Sequence, residues 1–257
     1  MSDLVLRDQP APGLVQLTLN RPDAFNALSE AMLAALMTEL DLLANDPSTK
    51  VVILSASGKA FCAGHDLKEM RADPSQAYYE HLFTQCSQMM VALQQLPQPV
   101  IAQVQGVATA AGCQLVAMCD LAVAAHTARF AVSGVNLGLF CATPSVALSR
   151  NLSRKQAMYM LLTGEFISAE QAQDWGLVNL VTPPEDLTQA TLELAARILQ
   201  KPAPALRFGK KLFYEQIETN MARAYELAGQ TMACNMMDDS ALEGVQAFID
   251  KRPPNWT

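Results

Sequence analysis

Two stretches of this chain place small residues where a strand runs into a helix: FCAGHDLKEM at residues 61–70 and QVQGVATAAGCQLVAMCD at residues 103–120. Each follows an apolar run with strand character, VVILSA at 51–56 and VIAQV at 100–104. The first N–H groups of a helix have no intrahelical acceptor and lie at the positive end of its dipole. Small side chains such as Ala63, Gly64, Ala110 and Ala111 let another group approach that backbone closely. Two such turns can aim two N–H groups at one oxygen, the arrangement that stabilises the oxyanion of thioester chemistry. The competing reading is tight helix packing, which uses the same small residues.

The elements that must carry these turns follow from the pattern. Residues 4–7 and 14–19 read as a hairpin around Pro10 to Gly13. A loop over 21–27 leads to Ser29, an N-cap for a helix over 30–44, and a turn at Asp46, Pro47 and Ser48 precedes the strand at 51–56. Residues 72–76 break the chain at Asp73–Pro74 before a long helix over about 78–96, which stops at Pro97 and Pro99. Short strands follow at 121–125 and 129–132. The alternation of strands and helices to this point predicts an α/β fold. Beyond Thr143 the pattern is helical at 143–151, 154–162, 169–175 and 186–200, with a strand at 178–181 and three helices from about 203 to 250. Met232 and Met236 form part of an apolar stripe read as core or interface.

Five motifs occur in order over nearly the whole chain: LNRPDAFNALS, FCAGHDLKE, QGVATAAGCQLVAMCD, SAEQAQDWGLVN and FIDKRPPNW. With them the sequence resembles the crotonase superfamily, also called the enoyl-CoA hydratase/isomerase family. The resemblance implies a spiral of repeated ββα units over residues 1–200 and a helical C-terminal trimerisation region over 201–257. It implies an acyl-CoA thioester as substrate, with coenzyme A entering as part of it and no further cofactor required. It also implies a homotrimer, or a hexamer formed as a dimer of trimers. By the same resemblance the oxyanion hole is the backbone N–H pair of His65 and Ala111. The coenzyme A moiety would be bordered by Ala24, Phe25, Ala63, His65, Asp66, Leu67 and Gly112, with Lys68, Lys251 and Arg252 as candidates for its phosphates. In relatives the region after residue 72 shapes the acyl pocket, which makes Tyr78, Tyr79 and His81 candidate pocket residues. His65 stands where the family commonly has Ala, and its imidazole could face the acyl group or cap and pack.

The departure from the family lies elsewhere. Family hydratases hold and split a water between two glutamates, and those positions are Gln114 and Gly134 here. An amide can orient a water but cannot take its proton, and glycine supplies no side chain. Each lost acid or base is typically worth ~10²–10⁴ in rate. Asp66 and Asp120 match positions that look structural. Cys141, in GLFCATP, falls near the place where the aryl-CoA dehalogenases of the superfamily carry a nucleophilic Asp, and a thiolate there could accept an acyl group. Three classes therefore stay open. They are an acyl-CoA enzyme using the oxyanion hole and a non-glutamate group (a lyase-like or thioester-hydrolysing activity), an orthodox hydratase of fatty acid metabolism, and a non-catalytic acyl-CoA binder.

Composition narrows the partners. The 257 residues are 51% hydrophobic with a net charge of −7. No basic stripe speaks for nucleic acid, and no run of about eighteen apolar residues speaks for a membrane span. The beginning of the chain lacks a basic-then-apolar leader, so the sequence reads as cytoplasmic or as the mature form of an organellar protein. Six cysteines without CxxC spacing predict reduced, packing thiols and no zinc site. Hydrolase-elbow, P-loop, dinucleotide and HExxH motifs are lacking.

Overall fold

The computed structural model describes residues 3–256. The chain opens with β1 (Val5–Ala11) and β2 (Leu14–Leu19), an antiparallel hairpin whose tight turn falls at Pro12 and Gly13. The first strand runs on through Pro10, further than the sequence indicates. An edge strand allows this, because one row of its N–H groups has no ladder partner to lose.

From β2 onward the chain winds as a spiral that puts one strand into each of two sheets per turn. β3 (Val51–Ala56), β5 (Val100–Val104) and β7 (Leu121–Ala125) lie side by side and parallel in the larger sheet, order β1-β2-β3-β5-β7-β10. Their successors β4 (Ala60–Cys62), β6 (Val107–Thr109) and β8 (Arg129–Ala131) are parallel in the smaller sheet, which β9 (Ile167–Ser168) closes antiparallel. The two-residue β9 has no strand pattern in the sequence. β10 (Leu180–Thr182) lies slightly beyond the expected 178–181. The ββα spiral implied by the resemblance is thus present.

The helices fill the space around the sheets. α1 (Glu30–Ala44) buries Met32, Leu33, Leu36, Leu40 and Leu43, a 3.6-residue stripe, and Ser29 caps it by accepting from Met32 N–H. α2 (Leu67–Ala72) and α3 (Gln76–Gln95) follow β4, with α3 starting two residues before the expected position. α4 (Ala111–Met118) follows β6 and is buried along nearly its whole length. A 3₁₀ turn at Ser133–Leu137 then leads to α5 (Ala142–Asn151), α6 (Arg154–Thr163), α7 (Ala169–Trp175) and α8 (Leu187–Leu199). Ser168 caps α7 as the sequence indicates, in a reciprocal box with Gln171.

The last helices are α9 (Ala203–Gln216), α10 (Met221–Met236) and α11 (Asp239–Ile249). α9 and α10 contain no buried residue and α11 only Ala247. The Met stripe is accordingly not core: Met232 and Met236 are exposed.

Candidate active site

The two small-residue turns abut. A Cβ placed on Gly64 would lie 2.9 Å from Ala110 Cβ, 3.1 Å from the Thr109 carbonyl oxygen and 3.3 Å from the Ala111 nitrogen. Gly64 has a φ of +90°, a region that favours glycine. Leu28 holds one edge of the β4–α2 turn: its N–H donates to Gly64 O at 2.8 Å, and Asp66 N–H donates back to Leu28 O at 3.4 Å. Successive backbone groups of an extended segment point to opposite sides, so His65 N–H faces away from Leu28. Ala111 is the first residue of α4, and its N–H therefore has no intrahelical acceptor. Among the described residues no hydrogen bond occupies either N–H.

The second turn is held by force. Ala110 N–H donates to Ala131 O at 3.0 Å, and Ala110 sits at φ 50°, ψ −121°, a conformation strained for a residue with a side chain. Gly112 cannot carry one at all, because its Cβ would lie 2.1 Å from the Cys62 carbonyl oxygen. Gly112, expected beside coenzyme A, is thereby committed to packing α4 on β4.

The loop at residues 24–26 lies beside the first turn, where the resemblance puts it. Phe25 O accepts from Ala63 N–H at 3.0 Å. Phe25 and Asn26 both have left-handed backbones, and Phe25 projects outward. Fully buried Asn26 fixes this shape: its Nδ2 donates to Ser57 O (2.8 Å) and Ala60 O (2.9 Å), and its Oδ1 accepts from Arg21 N–H (2.9 Å). The resemblance includes Asn26 only through the backbone of the 24–26 loop, as a border of the coenzyme A nucleotide. The Asn ending an Arg-Pro-Asp-Ala-Phe-Asn turn was the available signal.

The side chains around the turns are mostly occupied. Asp66 caps α2 by accepting from Lys68 and Glu69 N–H, and pairs with Arg21 at 2.7 Å. Glu69 accepts from Glu30 N–H. Leu67 and Lys68 are exposed on the first turn of α2. The His65 ring is pinned by Nδ1, 3.3 Å from Leu28 O, and meets Phe83 of α3 edge-on at 5.4 Å. A carbonyl can only accept, so Nδ1 carries the proton and the neutral ring leaves Nε2 as a lone pair, buried and without a partner. Burial lowers the imidazole pKa, and the Leu28 contact opposes this only in part. The His65 ring is thus held between Leu28 and Phe83. Of the other aromatic candidates, Tyr79 donates to Met70 O at 3.0 Å and exposed His81 pairs with Glu30 at 3.4 Å. Tyr78 packs on the core with its buried hydroxyl unpartnered.

No carboxylate stands at either position expected of a water-splitting pair. Gln114, one helical turn past Ala110, is buried with Oε1 unpartnered. At Gly134 the chain closes on itself. Leu139 N–H donates to Gly134 O at 3.0 Å, and Gly134 N–H donates to Cys141 Sγ at 3.3 Å. A Cβ on Gly134 would lie 2.6 Å from the Leu139 oxygen and 2.7 Å from Cys141 Sγ. The Leu139 carbonyl and Cys141 Sγ therefore fill the space that a side chain at 134 would need. Burial raises its pKa against the pull of Gly134 N–H, so the thiolate expected of a nucleophile is disfavoured. Cys62, Cys86 and Cys113 are pushed up to about 12 by burial, as packing thiols are. No metal-ligating cluster occurs among the described residues.

Of the cations considered for phosphates, Arg252 is already taken: it forms a fork on Glu243 at 2.6 and 2.9 Å. Lys68 and Lys251 are exposed and form no ion pair among the described residues. Asp120 is likewise committed to the fold, through Lys210, Tyr214 and Val100 N–H.

An α/β spiral that brings two strand-to-helix turns together, each offering a free N–H, defines a crotonase-class protein. The chain belongs to the enoyl-CoA hydratase/isomerase family, which it matches over residues 10–257. It is 45% identical to the enoyl-CoA hydratase domain-containing protein 3, mitochondrial, of Xenopus laevis, over 97% of this chain and 85% of that protein. The motifs GHDLKE, TAAGCQLVA and GVNLGLFCATP resemble the same subgroup. The crystal structure of an enoyl-CoA hydratase from Mycobacterium smegmatis superposes with a TM-score of 0.97 at 63% identity, covering 98% of each chain. That of human enoyl Coenzyme A hydratase domain-containing protein 3 superposes at 0.95 with 42% identity, over 98% of this chain and all of that one.

Proposed function

We propose that this protein binds acyl-CoA thioesters, with the thioester oxygen between His65 N–H and Ala111 N–H, and that it hydrates enoyl groups poorly. The contact of Gly64 with Ala110 and Ala111 carries this reading, because it brings two unoccupied donors to one place. Phe25 and Ala63 border the same turn, and Lys68 and Lys251 remain, of the three cations the resemblance suggests, for phosphates on a chain of net charge −7. The site can polarise a carbonyl and support an enolate. Its Gln114, closed Gly134, protonated Cys141 and pinned His65 offer no acid–base pair for water. Chemistry on the acyl group would then run through the oxyanion hole without glutamates, as slow lyase-like or thioester-hydrolysing turnover.

A second reading, an acyl-CoA binder without turnover, draws its support from Cys141 filling the place of the second carboxylate. Calorimetry with acetyl-CoA and crotonyl-CoA, followed by mass spectrometry over a panel of CoA thioesters, separates the readings. Saturable heat with slow or no product supports them, and the product distinguishes them. No heat at millimolar ligand overturns both.

The exposed apolar faces of α9–α11, including Phe213, Met221, Tyr225, Met232 and Phe248, favour a homotrimer or a hexamer of two trimers. Lys251 would then serve a neighbour's coenzyme A. No helix of the described residues is long and apolar enough to cross a membrane. Work on a CoA ester in an aqueous compartment, the cytoplasm or an organelle, fits this reading.

A further inference from the structure

The three C-terminal helices stand apart from the core. α9 packs chiefly on α10, and among the described residues none of the three helices packs as closely on a strand or on α1–α8 as α9 does on α10. Grooves run along both sides of α9, one of about 910 Å³ against Leu96 and Pro97 and another of about 560 Å³ against Met118 and Ala147. A helix with no buried residue and open space on either flank needs something else to fix its direction.

A buried polar cluster bridges the gap. Lys210 of α9, its side chain only 6% exposed, uses all three ammonium donors: Asp120 Oδ2 at 2.7 Å, Gln98 O at 3.0 Å and Leu93 O at 3.4 Å. Leu93 lies in the last turn of α3, where carbonyls lack intrahelical partners and favour a cation. One turn on, Tyr214 OH donates to Asp120 Oδ1 at 2.9 Å. Asp120 also accepts Val100 N–H at 2.7 Å, so its carboxylate joins the starts of β5 and β7 to α9. Burial raises the Tyr214 pKa, reinforced by Asp120, which keeps the phenol a donor. The other ties of α9 and its following turn to the core are peripheral. Arg150 and Glu218 pair while both half exposed, and Arg207 reaches Pro47 O at 3.2 Å. Exposed pairs of this kind contribute little, whereas breaking a buried pair costs heavily.

We infer that Asp120, Lys210 and Tyr214 form a latch that sets the direction of the C-terminal arm and can be released without unfolding the core. Lys210 and Tyr214 are positioning residues: they hold α9 so that the apolar faces of α9–α11 point away from their own core, where a second copy can cover them. Release leaves the arm tethered through the segment after α8 and the peripheral ties of Arg150 and Arg207.

Segment-resolved hydrogen exchange on the full chain tests this, with light scattering on the same samples. Lys210→Met should speed exchange of the amides of α9–α11 by ~100-fold or more. Protection of β3, β5 and β7 should stay as in the parent. Tyr214→Phe should give a smaller acceleration in the same segments, and Arg150→Ala, which removes the surface pair, almost none. Unchanged arm exchange in Lys210→Met overturns the latch. So does loss of arm and core protection together, which would make the cluster part of one cooperative fold. Light scattering should show Lys210→Met as a single chain at micromolar concentration if copies of the parent associate. A monomeric parent would count against the proposed assembly alone, because the exchange comparison decides the latch without it.

Discussion

The two halves of the candidate site are built from different materials. One half, at Gly64–His65 and Ala110–Ala111, works through backbone N–H groups that any residue except proline supplies. The other half, at Gln114 and Gly134–Cys141, would have to work through side chains, and here it holds an amide, a glycine and a buried thiol. A backbone site survives changes of residue as long as glycine remains where contact demands it. A side-chain site does not survive replacement of a carboxylate by an amide. The chain thus keeps two free backbone donors without a carboxylate at 114 or 134.

The largest expected effect breaks the backbone half. Gly112→Ala forces a Cβ to within 2.1 Å of Cys62 O, which only a backbone shift relieves. Loss of about 3 kcal/mol or more in urea unfolding is expected, with acyl-CoA binding abolished in whatever folds. Wild-type stability in this variant would mean that the two turns are not packed as described.

Next comes the side-chain half. Installing the missing pair, Gln114→Glu with Gly134→Glu, looks from the sequence like a route to hydration. The structure obstructs it at residue 134, so Gly134→Glu alone should cost about 1–3 kcal/mol. Adding Cys141→Gly should recover part of that loss, measured by thermal denaturation, because it removes one of the two blocking atoms. Hydratase activity should rise by orders of magnitude only in the triple variant, since the two carboxylates act as a unit. A large gain from Gln114→Glu alone would blur the contrast between the halves.

A smaller effect sharpens it. Ala110→Gly relieves the positive φ next to the second donor and should stabilise the protein by about 1 kcal/mol, with binding unchanged. If binding falls instead, the alanine methyl itself contributes to the site.

The smallest effect concerns His65. Its folded pKa lies below the ordinary value of about 6.5, so the unfolded chain binds more protons as pH falls through that range. Its contribution to stability is full above the ordinary value and is lost as pH falls towards the lowered one. Thermal midpoints from pH 7 to pH 5 should therefore drop more for the parent than for His65→Gln. Thioester binding should differ between them by less than ~3-fold, because the donor is backbone. A much greater loss of binding would give the imidazole a direct role.

How legible this was depended on the range of the interactions. The turns could be read from FCAGHDLKEM and TAAGCQLVA because their small residues and neighbouring strands are contiguous. Helix starts at Ser29 and Ser168 were equally local. The resemblance marked Gly134 as a carboxylate position of the family, but not as one closed by Leu139 and Cys141, since that depends on how residues 134–141 fold back. The close packing of Gly112 on Cys62 was not legible, because the two lie 50 residues apart in the chain. The pairing of Arg252 with Glu243 has no mark in the local sequence. Asp120 was recognisable as structural, yet its partners Lys210 and Tyr214 lie 90 and 94 residues further on. Nothing in the local pattern marks them.

The central claim, that the backbone half is intact and the proton-moving half is not, can be tested on one sample of the parent protein. Crotonyl-CoA is titrated calorimetrically, and its hydration is then followed by mass spectrometry at saturating ligand. Saturable binding is expected, with hydration at least ~10³-fold below the 10–10³ per second on the order of which dedicated enzymes turn over. Tight binding with hydration in that full range would contradict the account, and would mean that groups other than those at 114 and 134 handle the water.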